Sequence, residues 1–172
     1  MEEADKTLLS EVASVGYDAA DRPFDFVETG SKTVLICETD STLSQKIGDA
    51  MKSLDYQITE VTTARDALKS MRFHIYDVII VNDSFDRSHP GVNDVLKYLE
   101  NLNMATRRQI FVGLLSEQYR TMDNMAAFNL SVNITVNLKN LDDIGQIITQ
   151  GKADNDYFYH TFKETLKKVG RA

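Results

Sequence analysis

From residue 32 onward, short apolar runs alternate with stretches whose apolar residues recur at helical spacing. The runs lie at 33–37, 57–62, 76–82, 108–115 and 131–136. Most of them are continuously apolar, which is typical of parallel strands buried on both faces, whereas 57–62 alternates like a half-exposed strand. The stretches between and after them predict helices over 41–56, 64–73, 92–102, 116–130 and 140–150.

Alternating strands and helices at this spacing predict the fold class. Each strand–helix–strand unit is expected to cross over right-handedly, which gives a five-stranded parallel sheet with helices on both faces, a doubly wound (βα)5 α/β fold. The pattern leaves the strand order open. Functional groups of such folds gather at the carboxyl ends of the strands. In this chain those ends are Cys37-Glu38, Val81-Asn82, Leu115-Ser116 and Val136-Asn137.

Capping side chains support several of the predicted helix starts. Asp40 precedes the helix over 41–56, and Thr63 with Asp66 forms a capping-box pattern before the helix over 64–73. Ser116 is the candidate N-cap of the helix predicted over 116–130. These positions predict where strand-to-helix turns begin.

The residues outside the alternating region predict two appendages. Residues 1–31 are interpreted as an arm or linker, in which Leu8, Leu9, Val12 and Val15 form one short helical face without a second element in that segment to bury it. The domain itself is predicted over 32–151. A helical extension follows over 152–172, with an apolar stripe made of Tyr157, Phe158, Tyr159, Phe162, Leu166 and Val169. This stripe either packs back on the domain or forms a dimer or partner surface.

Composition narrows the classes of function. The chain has 172 residues, 42% of them apolar, and a net charge of −7. That charge argues against general nucleic-acid binding and against an anionic membrane surface. The lone cysteine, Cys37, cannot form an internal disulfide, and no Cys/His cluster indicates zinc. We find no apolar window of membrane-spanning length and no signal peptide, and we expect a cytoplasmic protein.

Three segments resemble the receiver domain of two-component response regulators over residues 32–150. VLICETD resembles the first strand with its acidic pair, and YDVIIVNDSF resembles the third strand with its phospho-accepting aspartate. MAAFNLSVNITVNLKNLDDI resembles the segment that carries the conserved lysine and leads into the last helix. The resemblance implies the flavodoxin-like receiver topology and a role in bacterial signal transduction.

The resemblance also implies that the phosphorylation chemistry is lost. The position of the accepting aspartate falls on Asn82, and a carboxamide forms no acyl phosphate. The acidic pair falls on Glu38 and Thr39, and a neutral hydroxyl is a poor Mg²⁺ ligand. The lysine position falls on Val136, and Ser116 is the candidate for the switch Ser/Thr. The implied function is a pseudo-receiver without enzymatic activity or cofactor. Its implied partner is another protein, another domain of a longer chain, or a second copy in a homodimer.

Other interpretations stay open. Glu38 and Asp40, with Asp83 and Asp86, could be a remnant acidic pocket for a metal, although Asp40 is more simply a helix cap. Asp83 could be a displaced phosphoacceptor, but strand alternation points it away from the face that Asn82 uses. A flavodoxin-like small-ligand binder is the third alternative; it lacks a glycine-rich phosphate loop.

Overall fold

A computed structural model of the chain describes residues 8–14, 30–86 and 92–170. Its strands form one parallel sheet in the order β2-β1-β3-β4-β5. The strands are β1 (Lys32–Cys37), β2 (Tyr56–Val61), β3 (Val78–Asn82), β4 (Phe111–Ser116) and β5 (Ile134–Asn137). The predicted doubly wound five-stranded α/β fold is confirmed, and the strand order that periodicity left open is the flavodoxin-like one.

Helices cover both faces of this sheet. They are α1 (Leu8–Ser14), α2 (Ser41–Lys52), α3 (Ala64–Phe73), α4 (Asp94–Glu100), α5 (Met104–Arg107), α6 (Asn124–Asn129), a 3₁₀ helix (Leu138–Asp143), α7 (Ile144–Phe158) and α8 (His160–Lys168). Because the chain reverses its direction across the sheet after β2, the crossovers place α2 and α7 on one face and α3, α4 and α6 on the other. None of the helices within the described ranges combines the length and apolarity needed to cross a bilayer.

The strand side chains alternate between two apolar cores. One core lies under α2 and α7 and includes Ile36 and Ile80, and the other lies under α3 and α4 and includes Cys37 and Val81. Burial of consecutive residues on both faces explains why these runs are continuously apolar. The same alternation decides the side of the sheet on which each residue beyond the strand ends will lie.

Two predicted caps are confirmed and one is wrong. Asp40 caps α2 by accepting hydrogen bonds from the Thr42 and Leu43 amides, and Thr63 caps α3. Ser116 is not an N-cap. It is the last residue of β4, opposite Asn137 of β5, and the helix that was expected from residue 116 begins at Asn124, after a turn, with Asp123 as its cap.

The N-terminal helix α1 lies against α3 and α4. Val12 is only 4% exposed and joins the core under those helices, and Leu8 and Leu9 pack at its margin. The apolar face that lacked a partner in its own segment is therefore covered by the domain. Val15, which was expected on this face, lies outside the described residues.

The C-terminal extension continues directly from the domain, because α7 runs without interruption through residues 151 and 152. Its apolar stripe is divided. Phe162 is half-buried under the Arg108 guanidinium, 5.3 Å from the ring centre, whereas Tyr157 and Phe158 are largely exposed. Packing against the domain and an exposed apolar surface therefore coexist in this segment.

Close packing of α7 on the sheet predicts opposite behaviour for its two glycines. A Cβ at Gly151 would lie 3.0 Å from both Ile134 Cγ2 and Phe111 Cζ, whereas a Cβ at Gly145 would come no closer than 3.7 Å to Leu54 Cδ1. We expect Gly151→Ala to lower the free energy of unfolding by about 1–3 kcal/mol through overpacking. Gly145→Ala is the control and should be neutral or stabilising in urea unfolding. Equal effects would contradict this packing.

Candidate functional site

The candidate site lies at the carboxyl edge of the sheet, where β1 and β3 end side by side. Cys37 pairs with Val81 in parallel register, so Glu38 and Asn82 are neighbours one position further along. Both continue the face that carries Ile36 and Ile80, because side chains alternate along a strand. Glu38 is 3% exposed and Asn82 is 5% exposed. The fold thus brings together the two residues that the sequence predicted at the acidic and acceptor positions.

A complete set of hydrogen bonds joins them. The Asn82 Nδ2 donates to Glu38 Oε2 at 2.7 Å, and Glu38 Oε1 accepts from the backbone amides of Thr39 and Asp40 at 2.8 and 3.0 Å. The Asn82 Oδ1 accepts from the Ser84 amide and hydroxyl at 3.0 and 2.8 Å. Since the Ser84 amide can only donate, it fixes the orientation of the carboxamide. Asn82 is thus an acceptor toward Ser84 and a donor toward Glu38, which an ionised aspartate could not be.

Aliphatic side chains of β5 lie on the same face of the sheet as this pair, at and beyond the position where the resemblance implied a lost lysine. Val136 is fully buried in the core under α2 and α7, and Leu138, the next residue of the same alternation, packs against that core. The nearby Lys139 is exposed, and its backbone amide donates to Asn137. The positions that could face Asn82 from β5 are therefore aliphatic.

The acids predicted as a remnant pocket do not converge. The Asp40 carboxylate accepts from the Thr42 and Leu43 amides, as the cap of α2. The Asp86 carboxylate accepts from the Ala64 amide at 2.6 Å, at the start of α3. Within residues 8–14, 30–86 and 92–170, no group of three or more His, Cys, Asp or Glu side chains is arranged to hold a metal ion.

A second polar pair lies on the opposite side of the sheet edge. The Ser116 hydroxyl donates to Asp83 Oδ2 at 2.6 Å and accepts from the Gln118 amide at 3.0 Å. Asp83 also lines a cavity of about 480 Å³ together with Asn93, Gln118 and Tyr119. Sequence reasoning placed Asp83 and Ser116 at strand ends but missed their contact. Their positions one residue beyond Asn82 and Leu115, which pair in neighbouring strands, were the available signal.

Cys37 contributes to the core and not to the site. It is fully buried between the strands, and burial, followed by the negative charge of Glu38, raises the pKa of its thiol far above the usual range. The prediction that Cys37 is a small core side chain is confirmed. Because the thiolate is the reactive form, this thiol is held in its unreactive state.

Comparison with solved structures identifies the class of fold. The Francisella response regulator 1452 receiver domain matches with a TM-score of 0.56 and 19% identity, over 72% of this chain and 98% of that chain. HP1043, an orphan response regulator of H. pylori, matches with a TM-score of 0.54 and 17% identity over 71% and 97%. The Mn²⁺-bound form of response regulator Rcp1 matches with a TM-score of 0.53 and 20% identity over 68% and 91%.

These neighbours show that the chain has the receiver-domain fold of response regulators, as the resemblance of its three segments implied. No family model and no curated protein matches the sequence. At such low identities the likeness establishes the fold, and the chemistry of the site follows from its own residues.

The site predicts a pH-dependent defect in Asn82→Asp. This change places two carboxylates where a 2.7 Å hydrogen bond now joins Asn82 to Glu38. In the absence of Mg²⁺ we expect the free energy of unfolding at pH 8 to fall by roughly 3 kcal/mol, because a buried charge is left uncompensated. The defect should shrink toward pH 5, where one of the two carboxyls keeps its proton.

Asn82→Ala is the matched control, because it also removes the hydrogen bond to Glu38 but adds no charge. Its defect in urea unfolding should depend on pH much less than that of Asn82→Asp. If the two variants lose stability in parallel across this range, Glu38 and residue 82 are not in contact.

The environment of Cys37 predicts that its thiol is protected in the native chain. We expect iodoacetamide at pH 8 to modify the native protein at least about a hundredfold more slowly than the urea-unfolded protein, since reaction requires opening of the core. Ser41→Cys places a thiol at an exposed position and should react rapidly in the native state. Rapid modification of Cys37 itself would show that the end of β1 is open to solvent.

Proposed function

We propose that this domain is a pseudo-receiver, a protein–protein interaction module of bacterial signal transduction that works without phosphorylation and without catalysis. The observation that carries the proposal is the buried Asn82 carboxamide, which donates to Glu38 at the end of β3. In receiver domains this position carries the aspartate that accepts the phosphoryl group. A carboxamide has no oxygen as nucleophilic as that of a carboxylate. The nitrogen and the oxygen of the Asn82 side chain both form hydrogen bonds within the domain.

The neighbouring positions support the same conclusion. Phosphoryl transfer depends on cations that neutralise the charge of the transferred group. Val136 supplies no amine, and Glu38 already accepts hydrogen bonds from two backbone amides and from Asn82. Asp40, the next acid along the chain, serves as a helix cap. The acceptor and lysine positions are thus occupied by the neutral Asn82 and Val136, and the remaining acid, Glu38, is hydrogen-bonded within the domain.

A binding role requires surface for a partner, and the chain offers exposed apolar side chains. Phe128 of α6 is 78% exposed, and Tyr157 and Phe158 are 88% and 78% exposed. Large exposed apolar groups are typical of interaction sites. We infer a cytoplasmic partner that is another protein, another domain of a longer chain, or a second copy of this one.

A second candidate function is phosphorylation at a displaced position, and the contact between Asp83 and Ser116 favours it. The Asp83 carboxylate lies at a strand end, 2.6 Å from a hydroxyl, beside a cavity of about 480 Å³. An acyl phosphate at Asp83 would have to displace the Ser116 hydroxyl. The same cavity is the feature that favours a small-ligand binder, and a ligand that copurifies with the chain would support that alternative.

Intact-mass spectrometry after incubation with acetyl phosphate and Mg²⁺ tests the proposal. We expect no gain of a phosphoryl group, because no carboxylate occupies position 82. Asn82→Asp alone should also fail to label efficiently, since Thr39 and Val136 still provide neither a metal-binding acid nor a cation.

Asp83→Asn separates the two candidates. Labelling of the unmodified chain that disappears in Asp83→Asn would replace the proposal with phosphorylation at Asp83. Rapid labelling of Asn82→Asp would show that the rest of the pocket still supports phosphorylation and that asparagine at position 82 alone prevents it.

A further inference from the structure

The groove between α3 and α4 is already occupied by a helix of this chain. Val12 of α1 is buried in it, and Leu9 packs beside Val12 against Leu68 of α3 and Tyr98 of α4. The structure therefore shows what the groove accepts, which is the apolar face of a short amphipathic helix lying across two helices of the domain.

Two arginines of α3 position that helix. Arg65 forms an ion pair with Glu11, Nη2 to Oε2 at 2.7 Å, and the Arg72 Nη1 donates to the Val12 carbonyl at 2.7 Å. The second contact is made to a carbonyl in the last turn of α1, where backbone carbonyls need partners outside the helix. The groove thus selects an acidic side chain and a helix C-terminus as well as an apolar face.

The contacts that hold α1 in the groove are nevertheless weak. The helix has seven residues, too few to be stable alone in water, and within it only Val12 is fully buried. The Arg65 and Glu11 side chains are 50% and 40% exposed, and ion pairs that are this open contribute little. The helical state of α1 therefore depends on docking, which among the described residues rests on the contacts named above.

The groove is also larger than its occupant. A cavity of about 280 Å³ remains between α1 and the domain, lined by Leu9, Val12 and Ala13 on one side and by Leu68, Arg72 and Tyr98 on the other. Unfilled apolar space forfeits packing energy. A helix with a larger side chain at the position of Ala13 would fill this space and make contacts that α1 does not make.

We propose that this groove is the docking site of the module for an amphipathic helix of a partner protein, and that α1 is a weak resident which the partner displaces. The partner helix carries apolar residues in the spacing of Leu8, Leu9 and Val12, an acidic residue that faces Arg65, and a residue larger than alanine at the position of Ala13. The inference rests on the proposed function as a binding module, but it involves neither Asn82 nor phosphate.

A fluorescein-labelled synthetic peptide of residues 5–20 carrying Ala13→Leu is the probe, and fluorescence anisotropy is the measurement. Val12→Asp in the full chain releases α1, with Leu9→Asp as a second, milder variant. We expect both variants to bind the peptide at least about tenfold more tightly than the unmodified chain, where the resident helix competes for the groove. Gln57→Glu adds a charge at an exposed position of β2, outside the groove, and should behave like the unmodified chain.

Charge exchange tests the site itself. In the Val12→Asp chain, Arg65→Glu should weaken binding of the acidic peptide, and a peptide with Glu11→Arg should regain it. Circular dichroism establishes that each variant is folded. Equal peptide affinity for unmodified and released chains, or absence of saturable binding to folded Val12→Asp and Leu9→Asp chains, overturns the proposal. Self-association of the unmodified chain that Val12→Asp abolishes also overturns it, in favour of exchange of α1 between copies. Mass spectrometry with acetyl phosphate is independent of these outcomes.

Discussion

The hydrogen bond from the Asn82 amide to the Glu38 carboxylate is the constraint on which the carboxyl edge of the sheet depends. The parallel pairing of β1 with β3 buries an acid at the end of β1, and a buried carboxylate is tolerated only when its oxygens are hydrogen-bonded. Two backbone amides of the turn toward α2 donate hydrogen bonds to one oxygen of Glu38, and the Asn82 amide donates to the other. A second acid at position 82 would need a metal or a lysine amine in compensation. The carboxamide carries no charge that would need such compensation.

The rest of the strand edge is tied together in the same manner, by short hydrogen bonds within the domain. Ser116 joins the end of β4 to Asp83, and Asp86 reaches the first turn of α3. In a receiver that is switched by phosphate, this edge has to respond to a new charge. In this chain the polar groups of the edge form hydrogen bonds with one another, which favours a single static arrangement. A binding function would therefore depend on the surfaces of the domain.

Those surfaces differ in how completely they are covered. The groove between α3 and α4 holds a helix that leaves about 280 Å³ unfilled, and the junction of α7 and α8 exposes two aromatic rings. Burial of such exposed apolar area against another protein surface is energetically favourable. The chemistry of the pocket and the exposure of these surfaces both support the proposed role of an interaction module.

The sequence by itself determined the fold class. Continuous apolar runs specify strands buried on both faces, because this periodicity is local. The resemblance to receiver domains placed Asn82, five residues after Asp77, at the acceptor position. The tertiary structure alone decided the partners of these groups. Serine is a common residue at helix N-caps, yet Ser116 pairs with β5 as the last residue of β4. Its hydroxyl donates a hydrogen bond to Asp83. The apolar face of α1 packs against helices whose contacting residues lie more than fifty positions further along the chain. Such contacts join residues distant in sequence, and no local pattern encodes which distant group will complete a hydrogen bond or fill a groove.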